Sequence, residues 1–181
     1  MTKDLTQGKI TPLLVKFTIP LLFGNIFQLM YNSVDSIIVG QLVGKEALAA
    51  VGTSNPLMTL AILFVNGMCI GASILMGTQY GAKKMDVLKR QISTTMIAGI
   101  VFSIAVTLFC ILFARPLLLL IRVQEEVLPL AVSYLRIVFL GFIFTFIYNF
   151  FACTLRALGD STTPLYFLVA SSVLNLSLIH I

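Results

Sequence analysis

The sequence predicts an all-α, polytopic transmembrane helix bundle, on three observations. Of 181 residues, 59% are hydrophobic and only 10% charged, with a mean hydropathy of +1.03, far outside the range of water-soluble domains. The apolar residues fall in runs of the length needed to cross a bilayer core of about 30 Å. The charges gather in short segments between those runs, so a net charge of +5 speaks for membrane topology rather than for a nucleic-acid surface.

The first apolar run reads as a helix over residues 12–39, yet it carries an aspartate and several side-chain amides. At 100° per residue, Asn25, Gln28, Asn32 and Asp35 fall within an arc of roughly 80°. Leu22, Phe23, Ile26, Met30, Val34 and Ile37 take the opposite side. A carboxylate within a membrane costs about 2.5–3.5 kcal/mol on insertion scales, so it normally faces a bundle interior or a watery cavity and has a partner. Asn25 alone reads as interhelical glue, worth about 0.6 kcal/mol. Asp35, sharing a face with Gln28 and Asn32, reads as a functional group, because glue needs no ionisable side chain. Pro20 removes a hydrogen bond to the preceding turn and predicts a bend. Counting from Pro12, Asp35 lies roughly 35 Å along the axis, in the half of the bilayer away from the N-terminus.

A turn over 40–46 leads to a second helix, expected over 47–79. The uncharged stretch 47–82 would be roughly 54 Å long as a helix. That is too long for one perpendicular crossing and too short for two, so one tilted or bent helix is expected. Asn55, Thr59, Asn66 and Ser73 lie within an arc of about 40° on it; with no charge among them, they read as glue. Gly81 is the expected cap, and the basic stretch AKKMDVLKR follows.

The third helix, over 91–114, is mostly Ile, Val, Leu and Phe and reads as lipid-facing wall. Residues 115–126 form the next connection, and their LLLLI insert reads as an interfacial continuation of that helix. The fourth helix, over 127–158, places Thr145 and Asn149 on one face with Tyr148 alongside, and Gly159 ends it. In GDSTTP, Thr163 is the expected N-cap and Pro164 the first position of a fifth helix over 164–175 and beyond.

Cys69, Cys110 and Cys153 sit in apolar runs without CxxC spacing, which predicts small buried filler and neither a disulfide framework nor a metal site. The first apolar run is too long for a leader and lacks a small-x-small exit, so no cleavable signal is expected. Gly-rich phosphate loops, GxSxG and HExxH are absent, and no histidine precedes His180. Nothing completes a reaction with Asp35, so no catalytic residue and no enzyme is expected. Lys3, Lys9, Lys16, Lys83, Lys84, Lys89, Arg90 and Arg156 fall on the N-terminal side, against Lys45, Arg115, Arg122 and Arg136 on the other. This bias predicts a cytoplasmic N-terminus.

Four stretches carry a family resemblance. IPLLFGNIFQLMYNSVDSIIVG, LVGKEALAAVG, QYGAKK and LRALGDSTTP resemble the N-terminal lobe of the multidrug and toxin extrusion (MATE) family, over nearly the whole chain to about Asn175. The resemblance implies a protein of two six-helix lobes, of which residues 1–175 would be about five helices of the first. The C-terminal lobe of the same polypeptide would be missing. It also implies a multi-pass protein in the inner membrane of a prokaryote, with the lipid bilayer as its surroundings and no nucleic-acid partner. Its members export small cationic or amphiphilic compounds in exchange for protons or sodium, and no cofactor is implied besides that coupling ion.

Carried over residue by residue, Asp35 matches the helix-one carboxylate that binds the coupling ion, with Asn32 and Asn175 as polar neighbours. Gln28, Tyr31 and Asn149 match cavity-lining positions. Pro20 matches a proline proposed to bend the first helix when the carboxylate is protonated. The family's second acid, four residues after the asparagine of the fifth helix, is here Ile179. The final LSLIHI, residues 176–181, reads as a translated sequencing adapter, so this missing acid is expected to reflect truncation. A lobe cut in this way is not expected to transport by itself.

The expected mechanism follows from Asp35. Its bare charge is too costly inside a closed lobe, so a proton, a sodium ion or a cationic substrate must neutralise it before the cavity can turn. Two alternatives stay open. A lipid-linked oligosaccharide flippase or polysaccharide exporter of the wider superfamily would place basic residues in the cavity to meet phosphates. A non-transporting membrane assembly subunit would use the amide faces only to pack on other helices.

Overall fold

A computed structural model describes the backbone over residues 10–42 and 44–179; the side chains at 10, 31, 35, 36, 39, 42 and 175–179 lie outside the described residues. Six helices follow one another: α1 (Ile10–Leu42), α2 (Lys45–Gly81), α3 (Met85–Leu120), α4 (Leu128–Leu140), α5 (Phe142–Ala157) and α6 (Thr162–Ile179). Three of them, α1 to α3, are long and apolar enough to cross a membrane, and the bent α4–α5 pair makes up to four such spans. The apolar part of α6, Thr162–Leu174, is shorter.

The long runs stay helical through their prolines. Pro20, Pro56 and Pro116 all lie inside continuous helices, so α3 extends through the LLLLI insert to Leu120. The expected fourth helix is instead two, meeting at Gly141 with a bend of 46°. Gly141 keeps ordinary right-handed angles (φ −80°, ψ −5°), and the break frees carbonyl groups that hydrocarbon cannot satisfy. Thr107 Oγ1, on α3, donates to one of them, Phe139 O, at 3.0 Å. Arg136 Nε similarly donates to Ile111 O at 3.3 Å, tying α4 to α3 near Pro116.

Helix ends show a second departure. α2 and α3 close with a left-handed residue, Lys83 (φ 56°) and Arg122 (φ 58°). Lys84 N–H then reaches back to Gln79 O (3.0 Å) and Val123 N–H to Leu118 O (3.2 Å), which is the Schellman arrangement. Gly81, the expected cap, is therefore the last residue of α2, and a lysine takes the left-handed position. α5 ends on Gly159 (φ 85°), with Asp160 N–H on Leu155 O at 2.9 Å.

The core is built from α2, α3, α4, α5 and the connection before α4; Val65, Met76, Leu118, Leu135, Phe139, Phe146 and Phe150 are fully buried in it. Phe146 lies so close over Gly99 that a Cβ there would overlap the ring. α1 packs on α6 and α2 but has no buried residue among those described. The result is a packed four-helix block with an α1–α6 pair along its side.

Candidate functional site

Between the block and the pair lies a polar cavity of about 360 Å³. Pro20, Gly24 and Gln28 follow one another at intervals of four on α1, with Asn25 beside them, and this face of α1 forms one wall. Ile62, Asn66 and Ile70 do the same on α2. Across from them α5 presents Thr145, Tyr148, Asn149, Cys153 and Arg156, and the start of α6 closes the end with Ser161, Pro164 and Leu168. Asn149 Nδ2 donates to Thr145 O at 2.8 Å, which anchors the amide one turn along its own helix.

Three residues expected at the site, Pro20, Gln28 and Asn149, meet at this cavity. Asn32 is exposed on α1, one turn beyond Gln28, and is not among the described lining residues. The side chains of Tyr31, Asp35 and Asn175 lie outside the described residues. The backbone at position 35 is helical, seven residues and roughly 10 Å beyond Gln28.

Asn25 and Asn66, each read from sequence as glue, line the cavity instead, while Asn55 and Thr59 of the same α2 stripe are exposed. Sequence reasoning missed Arg156 by counting it only as a topological charge. The signal was available, because residue 156 lies within roughly 20° of both 145 and 149 on a helical projection.

Asp160, also missed, holds the entrance to α6. Its Oδ1 accepts the N–H groups of Thr162 and Thr163, both at 3.0 Å, and its Oδ2 accepts the Thr163 hydroxyl at 2.7 Å. Asp160 is therefore the N-cap in place of the expected Thr163, and Pro164 falls inside the first turn, where no intrahelical N–H is needed. Burial pushes the carboxyl up, but the Thr163 and Thr162 hydrogen bonds outweigh it and hold it down at about 2.

Among the described residues no three His, Cys, Asp or Glu gather as metal ligands. The cavity's polar groups are amides, hydroxyls, the Cys153 thiol and one guanidinium. They offer hydrogen-bond donors and acceptors to a bound solute.

The MatE family profile matches residues 20–181. The chain is 34% identical over 172 residues to a Bacillus subtilis (strain 168) protein named "Probable multidrug resistance protein YpnP", covering 95% of this chain and 39% of that one. It superposes with a TM-score of 0.90, at 26% identity, on a MOP-superfamily transporter from Pyrococcus furiosus for which reverse polarity of the binding pocket suggests a different function, covering 99% and 40%. With a crystal structure of MATE in the bent conformation the TM-score is 0.86, at 26% identity, covering 95% and 38%. The chain thus spans about two fifths of the length of these relatives. By a family match over nearly its whole length, it belongs to the MatE (multidrug and toxin extrusion) family of membrane transporters.

Proposed function

We propose that this chain forms most of one lobe of a secondary transporter that exports small cationic or amphiphilic compounds in exchange for protons or sodium. The observation that supports this best is the amide-lined cavity between α1 and α5, in a chain of this family. Asn25, Gln28, Asn66 and Asn149 offer carbonyl oxygens to a cation and N–H groups to a neutral acceptor, without adding fixed charge. Such a lining tolerates varied solutes, and an ionisable group must supply the coupling.

Asp35 is assigned that role, with Asn32 and Asn175 as partners and Tyr31 with Gln28 along the substrate path. A carboxylate that costs about 2.5–3.5 kcal/mol when bare favours whichever conformation hydrates it. Neutralised, it favours the closed one, and the ligand moves the equilibrium only by its differential affinity for the two. Proton, sodium and cationic substrate compete for one site, which is the rule of antiport. Pro20 leaves the carbonyl one turn earlier without its partner, so α1 has a soft point beside the cavity. The bias of basic residues supports a cytoplasmic N-terminus, and the remaining cavity wall is assigned to a second lobe.

The test is efflux in everted vesicles from cells making the complete transporter. Asp35→Asn should insert normally and lose gradient-driven efflux by about tenfold or more. Undiminished efflux would remove Asp35 from the mechanism.

A second reading is favoured by Arg156, which places a cation in the same cavity. A lipid-linked phosphate would pair with that guanidinium by charge-assisted hydrogen bonds. Arg156→Gln should leave export of cations intact; loss of activity confined to phosphate-bearing lipids would select the flippase instead.

A further inference from the structure

We infer that the α2–α3 hairpin carries a binding site for an anionic phospholipid, separate from the polar cavity. A shallow groove of about 460 Å³ runs between the end of α2 and the start of α3, beside the turn at 82–84. Its floor includes Leu75 and Val87, which are 57% and 50% exposed. Its polar wall includes Arg90, Gln91 and Thr95. Gln91 Nε2 donates to Ala72 O at 3.4 Å, so the two helices that form the groove are tied together across it.

Charge complementarity names the occupant. Arg90 lines the groove, and Lys83 and Lys84 lie in the adjoining turn, while Lys89 falls on the opposite face of α3; Asp86 is the one acid among these four cations. None of these four cations makes an ion pair among the described residues. α2 and α3 are membrane-length helices, so the groove sits where hydrocarbon gives way to the polar turn. Arg90 begins roughly 8 Å down α3, and its long stem lets the guanidinium reach up to headgroup level. A cationic rim above an apolar floor fits an amphiphile with a negative head and acyl chains, and basic pockets between membrane helices bind such lipids. Free phosphate would use the rim alone, and a zwitterionic lipid would not need the excess charge.

The bias of basic residues toward one side of the membrane accounts for the rim without any site, so the test must separate charge from groove. The protein purified from membranes in mild detergent is titrated with phosphatidylglycerol, phosphatidylcholine or inorganic phosphate and read by native mass spectrometry. Phosphatidylglycerol should bind selectively, and Arg90→Gln should weaken it roughly fivefold, the effect of one surface charge. Val87→Trp fills the floor and leaves every charge in place; it should weaken phosphatidylglycerol by about as much, and Leu75→Trp serves if that variant does not fold. Equal binding of phosphatidylcholine, displacement by inorganic phosphate, or full affinity in the tryptophan variant would each overturn the site.

Discussion

The α2–α5 block and the α1–α6 pair are both apolar helices, yet only the first is packed as a core. Lipid tails are as apolar as leucine, so hydrophobicity does not drive membrane helices together; close packing does. The block supplies small residues at its contacts, with Ser54, Ser103, Ala114 and Ala131 at 0% exposure and Gly99 beneath the Phe146 ring. α1 instead turns Leu22, Phe23, Ile26, Leu29 and Met30 outward, and Gly24 marks its close approach to Leu165 on α6. The polar cavity therefore has one wall that is expensive to move and one that is cheap. On the proposed exchange reading, the residues assigned to coupling and bending lie on the cheap wall.

Truncation is the largest test of the difference. Phe146→Ala should destabilise the protein by about 3 kcal/mol, because the cavity left behind cannot refill with lipid. Ile26→Ala, on the exposed face of α1, should change stability by no more than about 0.5 kcal/mol. Unfolding in mixed micelles of detergent and denaturant would measure both, and equal costs would break the comparison. Gly99→Ala should come next, at about 1–3 kcal/mol. The added methyl meets a ring held against Phe150 at a centroid distance of 5.9 Å, so neither partner can step aside. In the complete transporter of the proposed reading, efflux should fall in proportion to folded protein in both block variants, since neither residue lines the cavity.

Composition and run length made the class of fold legible; amphipathic periodicity put Gln28 on the polar face of α1, and the family resemblance pointed to Asn149. The break at Gly141 was not legible, because a glycine within an apolar run reads equally as helix interior; what decides it is that Thr107, 32 residues earlier, stands ready for the Phe139 carbonyl. Asn66 was misread for a similar reason. An amide on a helix face signals a polar neighbour, but whether that neighbour is another helix or an open cavity is set by α1 and α5, far away in the chain. Arg156 was overlooked by treating a charge near a helix end as a loop charge, and the two caps at Lys83 and Arg122 broke the preference for glycine at left-handed positions. Local chemistry was readable where it is self-contained, as in the Gly159 stop, and hidden where long-range packing chooses between equal local options.

A pH-dependent effect, milder than the Phe146 truncation, lies where the pair joins the block. Asp160 is 6% exposed and holds the first turn of α6 through two amides and a hydroxyl; replacing such a cap costs about 1 kcal/mol. Its carboxyl is held down from 3.8 to about 2 in the folded chain, so the ionised form is the one that folding favours. The stabilisation is complete above the unfolded value and is lost as pH falls from there through about 2. Asp160→Asn keeps an oxygen for capping but removes the titration. The wild-type melting temperature should therefore exceed that of the variant near pH 5, and the gap should close as pH approaches 2. Because α6 meets α1 at Leu165 and Gly24, a weakened cap should also loosen the movable wall and leave the block alone, with faster amide exchange along α6 than along α3. A gap that stays constant with pH would show that the carboxylate charge does not hold α6.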